Sequence, residues 1–223
     1  MSGSRFLEVS PPRLPGWVAR YVAARPGAVR AVVTSTGFDL VGDDGSLASL
    51  GLLEAGGWDA DVPEAAVEGA SQVAPEPLAA RLADEAGRSR TLLVCLVRRG
   101  GWSVGVVRDG RVLTGKTGRR YVQGTTAAGG WSQQRFARRR GGQTDKLADD
   151  ASSALTRMMA QAPGATGVVV GGDRRLAESV LAGTPAHALP VLGPIEVGEP
   201  RRADLDAAAA RVLSVRVTVH DAP

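Results

Sequence analysis

The 223 residues are 43% apolar but only 4% aromatic, so the chain can bury a core, and that core must be built mainly from Val, Leu and Ala. A single cysteine, Cys95, excludes an internal disulfide framework and any cysteine-based zinc site. The stretch from Met1 to Gly16 has no apolar run like a signal peptide, and no segment reaches membrane-spanning length, so a cytoplasmic protein with no membrane partner is expected.

The net charge of +4 is unevenly placed. Residues 39–87 hold eleven acids and one base, Arg81, whereas residues 111–144 hold eight bases and no acid. The basic block has the footprint of a phosphate-binding surface, although a solvated basic face would have the same composition.

Residues 5–10 suit a short strand. Trp17, Tyr21 and Ala24 recur at helical spacing before Pro26-Gly27 stops the helix. Val29 to Ser35 and Phe38 to Val41 read as paired strands, and Asp43-Asp44-Gly45 as a turn. Residues 42–76 are acidic and rich in Gly, Ala and Pro, with weak periodicity. Leu78 to Ala86 predicts a short helix, and a boundary near Arg88-Ser89-Arg90 divides an acidic α+β region, 1–89, from a second domain, 90–223.

The second part is more regular. Thr91 to Val97 is a continuous apolar run, as in a central buried strand, with Cys95 inside it as a small core residue. Trp102 to Val107 reads as the next strand, Asp109-Gly110 as a hairpin turn, and Arg111 to Thr114 as a third strand continued by Arg119 to Val122. Gly124 to Gly130 contains only small residues and predicts a flexible loop. A helix is expected to start near Ser132, a suitable N-cap, and Leu147, Ala151, Ala154, Leu155, Met158, Met159 and Ala162 trace an apolar helical face that ends at Pro163-Gly164. A strand at Val168–Val170, a helix near 174–182, a short strand at Val191-Leu192, a helix over 204–213 and a strand over 215–219 complete an α/β domain with a mixed sheet and flanking helices.

Gly110 to Thr117 matches the phosphate-loop pattern G-x-x-x-x-G-K-[ST], but that chemistry needs a helix after the lysine. Gly118-Arg119-Arg120-Tyr121-Val122 has no helical period, so a basic hairpin arm is the better reading. Gly141-Gly142-Gln143 is a second candidate, either a functional tip or a break in the helix. His187 and His220 lie far apart with no metal spacing and no nucleophile beside them, and both read as structural.

The run Gly129-Gly130-x-Ser132-x-x-Arg135-Phe136-Ala137-Arg138-x-Arg140 resembles the Gly-Gly-Gln-Ser-x-x-Arg-Phe-Ala-Arg-x-Arg stretch of the catalytic domain of eukaryotic and archaeal class I release factors. Lys116-Thr117-x-x-Arg120-Tyr121 resembles the Lys-Thr-Phe-x-Arg-Tyr motif of the related release-factor-like hydrolases of ribosome quality control, with an actinobacterial branch most similar. Gly171-Gly172-Asp173 fits the same family's second half. The resemblance covers roughly residues 90–220.

It implies a release-factor-like α/β catalytic domain that hydrolyses peptidyl-tRNA on the ribosome or its large subunit, with neither metal nor organic cofactor. Gly129, Gly130 and Gln133 would form the catalytic tip, with Gln134 as the adjacent alternative. Lys116, Arg119, Arg120, Arg135, Arg138, Arg139 and Arg140 would bind RNA. The departure is Trp131, which in a gapless match falls where the release-factor glutamine stands; the quality-control relatives have a Gly-Gly-Ser-Gln or similar tip, and with Trp131 as one inserted residue Gln133 falls at their glutamine. A non-catalytic RNA- or ribosome-binding module and a phosphate-loop nucleotidase are the rival readings.

Overall fold

A computed structural model describes residues 4–53, 74–119 and 131–220, with the backbone alone described over 131–143. The chain divides into two compact units, Met1–Arg88 with Arg211–Pro223, and Ser89–Ala210.

The first unit is one antiparallel sheet with two helices. Its strands are β1 (Ser4–Val9), β2 (Val29–Thr34), β3 (Gly37–Gly42), β4 (Leu47–Gly51) and β10 (Val215–His220), in the order β1-β10-β4-β3-β2. Alternation sends Phe38 and Leu40, Ala48 and Leu50, and Val215, Val217 and Val219 to one face, and the register aligns Phe38 with Leu50 and Leu50 with Val217. Helix α1 (Leu14–Ala23) adds Leu14, Val18 and Tyr21 to that core, and α2 (Pro75–Ala86) adds Leu78, Ala79 and Leu82.

Two features of this unit differ from the sequence reading. Strand β4 lies in a segment read as weakly periodic. Its Leu47-Ala48-Ser49-Leu50-Gly51 sequence has little intrinsic strand preference, and pairing with β3 on one side and β10 on the other makes it a strand. Strand β10, expected to end the mixed sheet of the second domain, instead lies between β1 and β4. Alternation identified it as a strand but carries no information about a partner some two hundred residues away. An ion pair between Arg211 and Glu8 at 2.7 Å holds the chain where it enters β10.

The second unit contains a mixed sheet in the order β7-β6-β5-β8-β9. The strands are β5 (Thr91–Arg98), β6 (Gly101–Arg108), β7 (Arg111–Arg119), β8 (Gly167–Gly172) and β9 (Val191–Ile195). Strand β5 is central, antiparallel to β6 and parallel to β8, and it is apolar on both faces, as a strand covered on both sides must be. Leu93, Cys95 and Val97 meet a core formed with Leu147, Ala151 and Leu155 of α3 (Trp131–Gln161) and Val180 of α4 (Arg174–Ala182). The last helix is α5 (Arg202–Arg211).

Helix α3 runs unbroken through Gly141-Gly142, where the sequence left a break open. Two helical glycines cost about 1 kcal/mol each relative to alanine. The buried face from Leu147 to Met158 secures the later part of the helix.

Burial pushes the Cys95 thiol up to about 12. In the unfolded chain a thiol ionises near about 8.5. The folded state therefore keeps its proton in a window where the unfolded chain has lost it, and the native contribution is intact below that window. Stability is expected to fall as pH rises from about 8.5 toward 12, by up to about 1.4 kcal/mol per unit from this group. Urea unfolding at several alkaline pH values, compared between wild type and Cys95→Val, checks this: the variant loses that part of the slope.

Candidate functional site

Gly129, Gly130 and Arg120 lie outside the described residues. Gln133, Gln134, Arg135, Arg138, Arg139 and Arg140 all fall in the first turns of α3. At 3.6 residues per turn, residues 135, 138 and 139 occupy one side of that helix. Gln143 stands ten residues beyond Gln133, about 15 Å along the axis at 1.5 Å per residue, on helical backbone. Gln133 and Gln134 lie on the same helical backbone, nearer the start of α3.

Strand β7 carries the two described members of the basic set, Lys116 and Arg119, at the edge of the mixed sheet. They belong to opposite faces. Lys116 stands opposite Val104, whose side chain packs in the core that includes α3. It is exposed and on the α3 side of the sheet. Arg119 is three residues on, so alternation sends it to the other face. There it approaches Glu199 at 4.0 Å, and Arg201 reaches the same carboxylate at 3.1 Å. The Arg201 hydrogen bond, and then the Arg119 charge, hold the Glu199 carboxyl below its usual range. Sequence reasoning missed Glu199 because it lies eighty residues from the arginine it meets. Lysine and arginine on an edge strand also discourage pairing with other sheets.

The phosphate-loop match dissolves in this geometry. Arg111–Arg119 is a strand throughout, with Gly115 and Lys116 inside it, so no helix N-terminus receives a phosphate at Lys116. Gly115 has a packing role instead. It pairs with Gly105, and an added Cβ at either position would meet Leu205 Cδ2 of α5, at 2.5 Å and 2.9 Å respectively. The Thr117 hydroxyl, which would hold a metal in a true phosphate loop, lies 2.9 Å from that of buried Ser103. Gly118 stands opposite Trp102, and the indole ring covers the place where its Cβ would be.

At the far side of the sheet, Gly171-Gly172-Asp173 forms the turn from β8 into α4. Gly172 has φ +91°, a conformation natural to glycine. The Asp173 carboxylate caps α4 by accepting from the Leu176 N–H at 3.1 Å. Asp173→Ala is expected to cost about 1 kcal/mol, seen as a lower urea midpoint with an unchanged slope. His187 Nδ1 lies 2.7 Å from the Thr184 carbonyl oxygen. A carbonyl only accepts, so Nδ1 carries the proton. His220 is exposed at the end of β10. Among the described residues no three His, Cys, Asp or Glu side chains converge on a metal position, and no helix is long and apolar enough to cross a membrane.

Comparison with known proteins adds the family. Among curated proteins none matches this chain. Among solved structures it is similar to the archaeal translation termination factor aRF1, at 15% identity and TM-score 0.34, covering 54% of this chain and 37% of that one. It is also similar to the Vms1 mitochondrial localization core, at 10% identity and TM-score 0.43, covering 90% and 80%. A third similar structure is Pelota of Archaeoglobus fulgidus, at 14% identity and TM-score 0.33, covering 95% and 63%. The chain thus spans little more than a third of the archaeal termination factor and under two thirds of Pelota. The family described as Actinobacteria/chloroflexi VLRF1 release factor matches residues 90–218, from β5 through the basic strand and α3 into β10. Matched in this way over more than half its length, the chain belongs to the Actinobacteria/chloroflexi VLRF1 release factor family.

Proposed function

We propose that this release-factor-like protein is a cytoplasmic peptidyl-tRNA hydrolase that frees nascent chains on stalled ribosomes or large subunits. The observation that carries the reading is one of sequence and backbone together. A stretch of small residues, 124–130, leads directly into the first turn of α3, where Gln133 and Gln134 are followed by four arginines, all inside the segment matched to the release-factor family.

The reaction is attack of water on the carbonyl carbon of the ester joining the peptide to the terminal ribose. The C–O bond to the ribose breaks, and the ribose hydroxyl leaves with a proton. Glutamine amides are too weakly basic to take that proton, so the tip works by positioning. In this reading the Gly129-Gly130 segment enters the peptidyl-transferase centre. A backbone N–H near Gln133 donates to the oxygen on which charge develops, and the Gln133 amide orders the water. Lys116 and the α3 arginines hold RNA phosphates.

Purified large subunits carrying peptidyl-tRNA test this directly. Release of the peptide by the wild-type protein supports the hydrolase; stable binding with no release under any condition replaces it with the ribosome-binding module. The faces of β7 supply a second test. Lys116→Ala is expected to weaken subunit binding by about threefold to tenfold at moderate salt. Arg119→Ala is expected to weaken it less, because Glu199 already shares that charge. Binding measured at two salt concentrations checks both.

A further inference from the structure

The first unit contains a cationic, aromatic cleft outside the segment matched to the family. Residues 1–30 hold five arginines and a single acid, Glu8, which pairs with Arg211. Trp17, Tyr21 and Arg25 follow one another at four-residue spacing along α1 and just beyond it, and their side chains form a ladder. The Trp17 and Tyr21 rings stack with centroids 5.2 Å apart and planes 22° from parallel. The Arg25 guanidinium carbon lies 3.2 Å from the Tyr21 ring centre. Arg25 is locked there, donating to the Tyr21 carbonyl at 2.8 Å and to the Ser46 hydroxyl.

Trp17 ends the ladder and is half-buried. It lines a cavity of about 220 Å³ together with Tyr21, Arg25, Arg5 and Arg20. Arg20 is exposed and has no carboxylate partner among the described residues. The Tyr21 hydroxyl, on the same cleft, is buried and meets no partner among the described residues.

An aromatic ladder with a terminal indole and flanking guanidinium groups suits a ligand that is planar at one end and anionic at the other. The cavity holds one such group rather than a large folded ligand. We propose that this cleft binds one nucleotide of single-stranded RNA, with the base extending the stack on Trp17 and the adjoining phosphates held by Arg5 and Arg20. Each component has an established counterpart in chemistry: bases stack on aromatic rings and on guanidinium planes, and arginine forks fit phosphate oxygens. The chain would then grip RNA through both units, and this grip is independent of any hydrolytic activity.

The test uses the full chain and a hexauridylate RNA carrying one 4-thiouridine. Photocrosslinks mapped by mass spectrometry are expected in the α1 peptide containing Trp17. Fluorescence anisotropy of the labelled RNA should show Arg20→Glu and Trp17→Leu weakening binding by about fivefold to hundredfold, the range of a single base–aromatic stack. Trp17→Phe keeps a stacking face and should retain most of the affinity. Arg13→Glu changes charge by the same amount on an exposed residue outside the cavity, and should shift affinity by less than about twofold if the cleft is specific. Crosslinks confined to the second unit would overturn the proposal. Equal losses from Arg13→Glu and Arg20→Glu would reduce it to general electrostatics and overturn it too. An abasic hexanucleotide that competes as well as the RNA would show that phosphate alone is bound, and the stacking site would fall. None of these readouts depends on peptide release, so the proposal can fail while the hydrolase reading stands, and the reverse.

Discussion

Gln133→Ala is expected to lower peptide release from large subunits by about a hundredfold or more while leaving subunit binding within about twofold. The size follows from what a neutral amide can contribute. It cannot act as a general base, so its contribution is to order the attacking water against the ester carbonyl. Misplacing a reacting group by about 1 Å can cost about a hundredfold. Because the step is positional, Gln133→Glu should fail as well: it replaces the amide that orders the water and places an anion near a developing oxyanion. Single-turnover release and subunit pelleting, run in parallel, separate chemistry from binding. In an assay that itself needs no metal, a chelator should leave the wild-type rate unchanged. If Gln134→Ala loses release and Gln133→Ala does not, the tip is one residue further along α3. If neither matters, the first turn of α3 is not the tip at all.

Gly118→Val is expected to destabilise the second unit by about 3–5 kcal/mol. A Cβ at this position would come within 2.4 Å of the Trp102 indole, far inside contact distance. The ring cannot stay, and Trp102 is only 5% exposed, packed in the core with Leu147 and Leu155. Evicting it costs about as much as deleting a buried tryptophan. The effect is separable from charge, because Lys116 and Arg119 are untouched. Urea unfolding of the two proteins gives the difference directly. A loss under about 1 kcal/mol would mean that the indole has a second berth in the core. The double variant Trp102→Leu with Gly118→Val should recover part of the loss, since the smaller side chain leaves room for the added methyl groups.

Legibility of this chain from sequence varied with how local the deciding physics was. The strands of the mixed sheet were readable because Thr91–Val97 is apolar without interruption and Asp109-Gly110 fixes the hairpin that follows. The packed face of α3 was readable because Leu147, Ala151, Leu155 and Met158 repeat at helical spacing. Strand β4 was not, because its partners and not its residues make it a strand. The partner of β10 was not, because register across so long a separation leaves no trace in either segment. At the candidate site, family motifs supplied the basic residues, but the separation of Lys116 from Arg119 appears only once β7 is seen to be a single strand with two faces. The letters of the phosphate-loop pattern were genuine and their meaning was not: Gly115 lies against Leu205, and Thr117 is hydrogen-bonded to Ser103.

Strand β10 also fixes an order in time. Residues 89–210 form a contiguous unit whose strands and helices are complete once that stretch has been made. The first unit is different: β1 has β10 as its neighbour, and β10 lies between it and β4. During synthesis, β1, β4 and α1 therefore wait, with an incomplete sheet, until β10 has emerged. The first unit thus completes its sheet after the second, and a chain cut short after α5 would forfeit the first unit while sparing the second.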